Sequence, residues 1–208
     1  MTEPLPAPFV VAFVVGVTPG KWARVWAERL PRHPLELRQL AQVDAVTAVL
    51  SGEVDVALLR IPVEPESLST IPLYTEQPVV IAPKDHPIEA VDSVTLDDLS
   101  AQTVLDQDWV SAVELVAANV GVAVMPQSVA RALSRRDVIA RPVTDAPHTR
   151  IALAWLTANT TETVEEFIGI VRGRTANSSR GTPTPPTVPE PRRKKPPKPR
   201  PRQSGRRR

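Results

Sequence analysis

LELRQLAQVDAVTAVLSGEVDVALLR, residues 35–60, contains a helix-like segment between two strand-like ones. Residues 35–40 alternate apolar and polar side chains, which predicts a short strand. Residues 43–51 have apolar side chains at helical spacing and precede a glycine, a residue typical of helix ends. Residues 54–59 are a short apolar run that predicts a buried strand, ended by Arg60. Strand, helix and strand in this order are typical of a parallel β-sheet with a crossover helix.

The same alternation continues on both sides of this stretch. Upstream, residues 9–17 form an apolar run that predicts a buried strand, and residues 20–30 carry Trp22 and Trp26 on one helix face. Downstream, residues 61–72 are rich in proline and predict a link without regular structure. The remaining predicted strands lie at 78–83, 103–106, 122–125, 138–143 and 150–156, and the remaining predicted helices at 95–99, 111–119, 126–134 and 160–172. This order predicts an α/β fold.

The composition excludes several classes of protein. The chain has 208 residues and no cysteine, so it has no disulfide bond, no thiolate zinc ligand and no cysteine nucleophile. The apolar run at 9–17 is too short to span a bilayer, and no basic residue precedes it as one would in a signal peptide. We therefore expect a cytoplasmic protein without a membrane segment.

Charge is distributed unevenly along the chain. Residues 178–208 carry eleven Lys and Arg and one acid, whereas residues 1–177 carry 14 basic and 22 acidic side chains. Residues 173–208 contain almost no apolar side chain besides proline, so we predict a disordered tail. Basic side chains bind phosphates regardless of base sequence, so this tail is expected to attach to nucleic acid; docking on the acidic part of the chain, or no defined partner, are the alternatives. The predicted contacts are Arg192, Arg193, Lys194, Lys195, Lys198, Arg200, Arg202, Arg206, Arg207 and Arg208.

Four segments occur together in the order known from one family of regulators. They are LELRQ at 35–39, AVLSGEVDVALLR at 48–60, VVIAPKDHPI at 79–88 and LVAANVGVAVMP at 115–126. With them, residues 9–172 resemble the effector-binding domain of LysR-type transcriptional regulators. The resemblance implies two α/β lobes, as in periplasmic binding proteins, with a small-molecule pocket in the cleft between them.

The resemblance also implies a domain organisation. The predicted parts are an N-terminal extension at 1–8, lobe I at about 9–76 and 145–172, lobe II at about 77–144, and the tail at 173–208. Regulators of this family begin with a winged helix-turn-helix, and eight residues precede the first predicted strand here, so we expect this chain not to read a promoter in the family's way. The family also has an additional helix and strand where this sequence passes almost directly from residues 103–105 to Ser111. The second lobe is therefore expected to be reduced.

A ligand site is expected at the carboxyl ends of the parallel strands, where open α/β sheets bind ligands. Thr18 and Pro19 lie in the turn from the first strand to the first helix, and the resemblance implies that this turn offers a hydroxyl to the effector. Arg60 follows a central strand, and a guanidinium can hold a carboxylate with two hydrogen bonds. The alternatives are a simple tight turn for Thr18 and a salt bridge to an acidic side chain for Arg60.

Two further residues complete the predicted site. Gln42 follows the second strand, where the family often presents Thr or Ser to the ligand. The resemblance places Asp108 at the facing position of the second lobe, at the start of a helix, where a helix cap is the alternative role. The four polar side chains and Pro19 predict a pocket for a small organic acid.

No catalytic site is predicted. His33, His86 and His148 lie far apart in the sequence, and neither a Gly-x-Ser-x-Gly elbow nor a phosphate-binding Gly-Lys-Ser/Thr loop occurs. We expect no metal and no cofactor. The prediction is a non-enzymatic ligand-sensing or regulatory protein that binds a small organic anion and forms a homodimer. The alternative is an interaction or dimerisation scaffold with a degenerate pocket, which pairs with a full-length regulator or an acidic protein.

Overall fold

The computed structural model describes residues 6–63 and 66–174. Within them the strands are β1 (Phe9–Phe13), β2 (Leu35–Gln39), β3 (Val56–Ile61), β4 (Leu68–Glu76), β5 (Pro78–Pro83), β6 (Ala123–Pro126), β7 (Val138–Pro142) and β8 (Thr149–Leu156). The α-helices are α1 (Gly20–Arg29), α2 (Gln42–Ser51), α3 (Trp109–Ala117), α4 (Gln127–Ala132) and α5 (Glu162–Val171). Short 3-10 helices lie at Pro87–Ala90, Asp97–Leu99 and Thr157–Asn159.

The strands form two separate sheets. One has five strands in the order β2-β1-β3-β8-β4, and the other has three in the order β6-β5-β7. In the first sheet β1 is parallel to β2 and β3, whereas β8 is antiparallel to β3 and β4. We call the first sheet with α1, α2 and α5 lobe I, and the second sheet with α3 and α4 lobe II. The chain crosses from lobe I to lobe II after β4 and returns after β7. The predicted two-lobed α/β fold is confirmed.

An aromatic cluster anchors the core of lobe I. Strands β1 and β3 are apolar and almost wholly buried, as expected for parallel strands covered by helices on both faces. Phe9 stacks on Trp26 with 4.7 Å between ring centroids, and Phe167 of α5 lies 5.5 Å from Phe9 and 5.9 Å from Trp26. The indole N–H of Trp26 donates to the carbonyl of His33 at 2.8 Å. The aromatic face predicted for the first helix therefore binds this helix to the sheet and to α5.

Lobe II is built around the single strand β5, whose six residues are all buried. Side chains alternate across a strand, so Val79 and Ile81 pack on one side with α3 and α4. Val80 and Ala82 pack on the other side with residues that follow in the chain, among them Val94 and Val143. Strand β5 pairs antiparallel with β6 and with β7. Lobe II thus has two small cores, one on each face of one strand.

The structure corrects two sequence-based predictions. The proline-rich link at 61–72 contains the start of β4, which tolerates Pro72 because β4 is an edge strand with a bulge between Pro72 and Tyr74. The strand predicted at 103–106 is a single bridge between Val104 and Val122. No helix lies between this bridge and α3 in the described chain, in keeping with a reduced second lobe.

Several predictions fall where the structure describes no residues. The basic tail lies outside the described residues from position 175 onward, and so do positions 1–5 of the N-terminal extension. The domain boundaries and the tail contacts therefore stay predictions. In the portion of the chain that is described, none of the helices has the length and apolar character needed to cross a bilayer.

Candidate functional site

A cavity of about 590 Å³ lies between the two lobes. Lobe I contributes the ends of β1, β2 and β3 and the start of α2, and lobe II contributes the segment that opens α3 and the end of α4. Its wall is mostly apolar, and polar side chains enter it from both lobes. The lining residues are Val14, Val15, Gln39, Leu40, Ala41, Gln42, Arg60, Gln107, Asp108, Trp109, Val110 and Leu133.

Arg60 lies within β3, one residue before its end, and its side chain is 9% exposed. Its Nε donates to Glu76 Oε2 at 2.8 Å and its Nη2 donates to Glu76 Oε1 at 3.0 Å. Nη2 also donates to the carbonyl of Val15 at 3.0 Å. The fork that the sequence predicted for a ligand carboxylate therefore holds a carboxylate of the protein itself, because Glu76 at the end of β4 faces the end of β3.

Glu76 connects this ion pair to three other elements. Its carboxylate accepts hydrogen bonds from Ser128 at the start of α4 and from Thr149 at the start of β8, the latter at 2.8 Å. Its carbonyl contacts Nδ1 of His148 at 3.2 Å. Ser128 also lies 3.4 Å from Nη2 of Arg60. The Arg60–Glu76 pair of lobe I and Ser128 of lobe II thus form a polar joint between the lobes, placed where the chain crosses from one to the other.

A close backbone approach accompanies this joint. Gly16 has φ +89°, and a Cβ at this position would meet Ser128 Oγ at 2.6 Å and the backbone nitrogen of Val129 at 2.9 Å. Only glycine fits both the left-handed conformation and the contact. The loop after β1 therefore lies directly against α4 of the other lobe.

Gln42 is at the first position of α2 and lines the cavity, but its side chain is engaged. Its Nε2 donates to the carbonyl of Arg60 at 2.7 Å, and its Oε1 accepts from the backbone N–H of Arg60 at 3.1 Å. These two hydrogen bonds to the backbone of Arg60 hold the start of α2 against the end of β3. Gln42 therefore positions the backbone of Arg60 and keeps one amide N–H and one lone pair beyond these two bonds.

Asp108 caps α3, which was the alternative predicted for it. One carboxylate oxygen accepts from the backbone N–H groups of Val110 and Ser111, both at 3.1 Å. Hydrogen bonds from the side chain and backbone of Ser111 hold the pKa of Asp108 below its ordinary value. Asp108 is therefore ionised at neutral pH and brings a negative charge to the wall of the cavity.

Trp109 is the contact that the sequence analysis missed. It is the first residue of α3, and its ring lies 4.7 Å from Cζ of Arg60, which is cation–π distance. The contact joins the two lobes across the cavity. Sequence alone could have given one indication, because an aromatic residue follows Asp108 at a helix start that faces the predicted site.

Thr18 and Pro19 lie in a neighbouring cavity of about 830 Å³. Its wall includes Tyr74, Ser128 and Arg131. Burial, and to a smaller extent the nearby negative charge of Glu76, raises the pKa of Tyr74 above its ordinary value. The two cavities share Val15, Gln39 and Leu133 as a common wall. The structure therefore brings Gln42, Arg60 and Asp108 together, and places Thr18 and Pro19 on the other side of that wall.

Residues 6–63 and 66–174 contain no group of three His, Asp or Glu side chains close enough to hold a metal ion. The cavity between the lobes offers groups that suit binding: an apolar wall, one paired guanidinium, one carboxylate, one aromatic ring and side-chain amides.

Comparisons with known proteins agree with this architecture. The "HTH-type transcriptional regulator AlsR" of Bacillus subtilis (strain 168) is 26% identical over 89 residues, 41% of this chain and 30% of that protein. The "Probable hydrogen peroxide-inducible genes activator" of Mycobacterium xenopi is 36% identical over 62 residues, 30% of this chain and 33% of that protein. The matches thus cover about a third of the length of these relatives.

Solved structures share the fold. The reduced OxyR regulatory domain from Pseudomonas aeruginosa superposes with a TM-score of 0.63 at 20% identity, over 81% of this chain and 96% of that one. The BenM effector binding domain with its effector benzoate gives a TM-score of 0.67 at 16% identity, over 79% of this chain and 90% of that one.

Residues 19–108 and 107–176 match the LysR substrate binding domain. These two matches span both lobes and include every residue of the interlobe cavity except Val14 and Val15. The family comprises effector-binding domains of transcriptional regulators, which are not enzymes. With its two α/β lobes and the cavity between them, this chain belongs to the LysR substrate binding domain family.

Proposed function

We propose that this chain is a non-enzymatic ligand-sensing domain that binds a small molecule in the cavity between its lobes. The observation that carries the proposal is the cavity of about 590 Å³, which both lobes line. Ligand pockets of proteins commonly have volumes of about 300–1,000 Å³, with a mainly apolar wall and a few polar groups. The benzoate-bound BenM domain supports the proposal, since its fold is the same.

The placement of the lining residues explains how a ligand would act. Leu40 and Ala41 enter the cavity from lobe I, whereas Trp109 and Val110 enter it from lobe II. A ligand that touches both groups favours the arrangement in which the lobes lie close together, and it can shift the population only by its difference in affinity for the two arrangements. Ligand binding is thereby converted into a change between the lobes.

The organic acid predicted from the sequence requires a rearrangement. Thr18 and Arg60, which were expected to hold the acid together, line different cavities, and Arg60 already holds Glu76. An acid would have to displace Glu76 or use only the remaining Nη1 of Arg60. The proposal is therefore stated for a small molecule, and its charge is a separate question.

A cavity-filling substitution tests the site. Val110→Trp places a large ring in the cavity, while Val91→Trp makes the same change at another exposed valine, which does not line this cavity. In a thermal-shift screen of small molecules, compounds that stabilise the wild type and Val91→Trp should lose their effect on Val110→Trp. At a ligand concentration of 100 times Kd the stabilisation lost is about 2.7 kcal/mol. Equal stabilisation of both variants would show that binding occurs elsewhere.

The alternative function, an interaction scaffold with a degenerate pocket, is tested by the same screen. It is favoured if a broad panel of compounds stabilises neither the wild type nor the control variant. The predicted homodimer belongs to both accounts, and the molar mass from sedimentation equilibrium tests it: the mass of one chain would contradict it.

We further propose that the basic tail attaches the domain to nucleic acid without base specificity. The support is the charge of residues 178–208, which carry eleven Lys and Arg and one acid. Fluorescence anisotropy with duplex DNA should show binding by the full chain and none by a chain ending at Asn177. The log–log dependence of affinity on salt should steepen by about 0.9 for each phosphate contacted. Equal binding by the two chains, or binding insensitive to salt, would contradict this proposal.

A further inference from the structure

We infer that the interlobe cavity is built for an uncharged ligand, in contrast to the organic acid predicted from the sequence. The inference rests on the proposed function and concerns the charge of the ligand. Three features of the cavity carry it: the pairing of Arg60, the charge of Asp108, which pairs with no basic side chain among the described residues, and two side-chain amides without partners there.

The charge of Arg60 is already balanced. Glu76 accepts from Nε and Nη2 at 2.8 and 3.0 Å, and the two side chains are 9% and 2% exposed. A buried pair with this two-point geometry is hard to exchange, because any ligand acid that takes Arg60 leaves the Glu76 carboxylate buried and without its cation.

Little of Arg60 is left for a ligand. Nη2 donates to the carbonyl of Val15 and lies 3.4 Å from Oγ of Ser128. The ring of Trp109 covers one face of the guanidinium, with its centroid 4.7 Å from Cζ. Of the three guanidinium nitrogens of Arg60, only Nη1 has no hydrogen-bond partner among the described residues. A single donor of a neutralised cation suits a carbonyl or hydroxyl oxygen as well as it suits a carboxylate.

The rest of the cavity wall disfavours an anion. Among the described residues that line the cavity, Arg60 and Asp108 are the only charged ones. Once Glu76 balances Arg60, the net charge at the wall is that of Asp108. Asp108 accepts hydrogen bonds from the α3 backbone, and no basic side chain is paired with it among the described residues. An anionic ligand would enter a mostly apolar space with a like charge at its exposed edge.

Two neutral groups remain for recognition. Gln39 from lobe I and Gln107 from lobe II both line the cavity, and neither side-chain amide has a hydrogen-bond partner among residues 6–63 and 66–174. Each amide offers a donor and an acceptor. Together with the apolar wall and the ring of Trp109, they fit a small, mainly apolar molecule that carries an amide, hydroxyl or carbonyl group.

Matched pairs of probes test the inference. Benzamide with benzoate, and hexanamide with hexanoate, have the same shape within each pair and differ in charge at pH 7. In calorimetric titrations of the full chain we expect the amide of each pair to bind about tenfold more tightly or better, because like charges in an interface are strongly disfavoured. Val110→Trp should abolish that binding.

Two charge variants complete the test. Asp108→Asn keeps a good helix cap and removes the negative charge, so the preference for amides should shrink. Glu76→Gln releases the charge of Arg60, so the acids should gain affinity and equal or exceed the amides. Because Glu76 is buried, the melting temperature of Glu76→Gln is measured to check that this variant folds. If it does not fold, the result with Asp108→Asn decides the test of charge.

The outcomes separate the two proposals. Acids that bind the wild type as tightly as their amides, through a site that Val110→Trp blocks, would overturn the inference and leave the sensor function standing. If neither member of either pair binds up to millimolar concentrations, the inference of a small apolar amide-like ligand fails, and the broad thermal-shift panel decides the proposed function. Binding that persists in Val110→Trp would lie outside this cavity and would contradict both proposals.

Discussion

Replacing Glu76 with alanine is expected to lower the free energy of unfolding by about 3–5 kcal/mol, one of the two largest effects of any single substitution considered. The substitution leaves the Arg60 guanidinium 9% exposed without the carboxylate that accepts from Nε and Nη2. It also removes the acceptor for Ser128 and Thr149. Urea denaturation followed by circular dichroism measures the change.

A double substitution separates the cost of an unpaired charge from the value of the pair. Arg60→Met with Glu76→Leu removes both charges and fills similar volumes, so this variant should be about as stable as the wild type or more stable. Glu53 forms an exposed salt bridge with Arg38, so Glu53→Ala should change the free energy of unfolding only slightly. If Glu76→Ala were as mild as Glu53→Ala, the pair would not be the buried joint described above.

Replacing Phe167 with alanine should cost about 3–5 kcal/mol of unfolding free energy, because the ring is wholly surrounded and its loss leaves a cavity. Phe167 is 1% exposed and contacts the rings of Phe9 and Trp26. These three residues join α5 and α1 to β1, so the substitution loosens three elements of lobe I together. The same denaturation experiment measures the loss.

A surface valine provides the control for Phe167. Val43 on α2 is 75% exposed, so Val43→Ala should change the unfolding free energy by no more than about 0.5 kcal/mol. Comparable losses for Phe167→Ala and Val43→Ala would contradict the placement of the aromatic cluster in the core.

Elements made of apolar runs could be predicted from the sequence. Strand β5 and the first four residues of β3 are continuous apolar segments, which are typical of buried strands in an α/β fold. Strand β4 escaped prediction altogether. Ser69, Thr70 and Pro72 give its first half the appearance of a loop, and no strand was predicted at 73–77. Edge strands need less burial than central ones, so their sequences carry less pattern.

The site was only partly predictable for a different reason. The position of Arg60 at the end of a central strand follows from local sequence, and the structure places it in the wall of the cavity. Its partners Glu76 and Trp109 come from other elements. Strand β4, which ends at Glu76, was not predicted, and it lies in the same sheet as β3 with β8 between them. Which acid pairs with a given base is decided by tertiary packing, and no local pattern in this chain encodes it.

The most direct test of ligand sensing between the lobes uses the four tryptophan indoles as reporters in an ¹H–¹⁵N correlation spectrum. Trp109 lines the cavity, whereas Trp26 donates to His33 and Trp155 donates to Thr160 within lobe I. Titration with a compound found by thermal shift should move the Trp109 signal, assigned by its absence in Trp109→Phe, and leave those of Trp26 and Trp155 in place. A titration that shifts Trp26 or Trp155 and leaves Trp109 unchanged would contradict binding in the interlobe cavity.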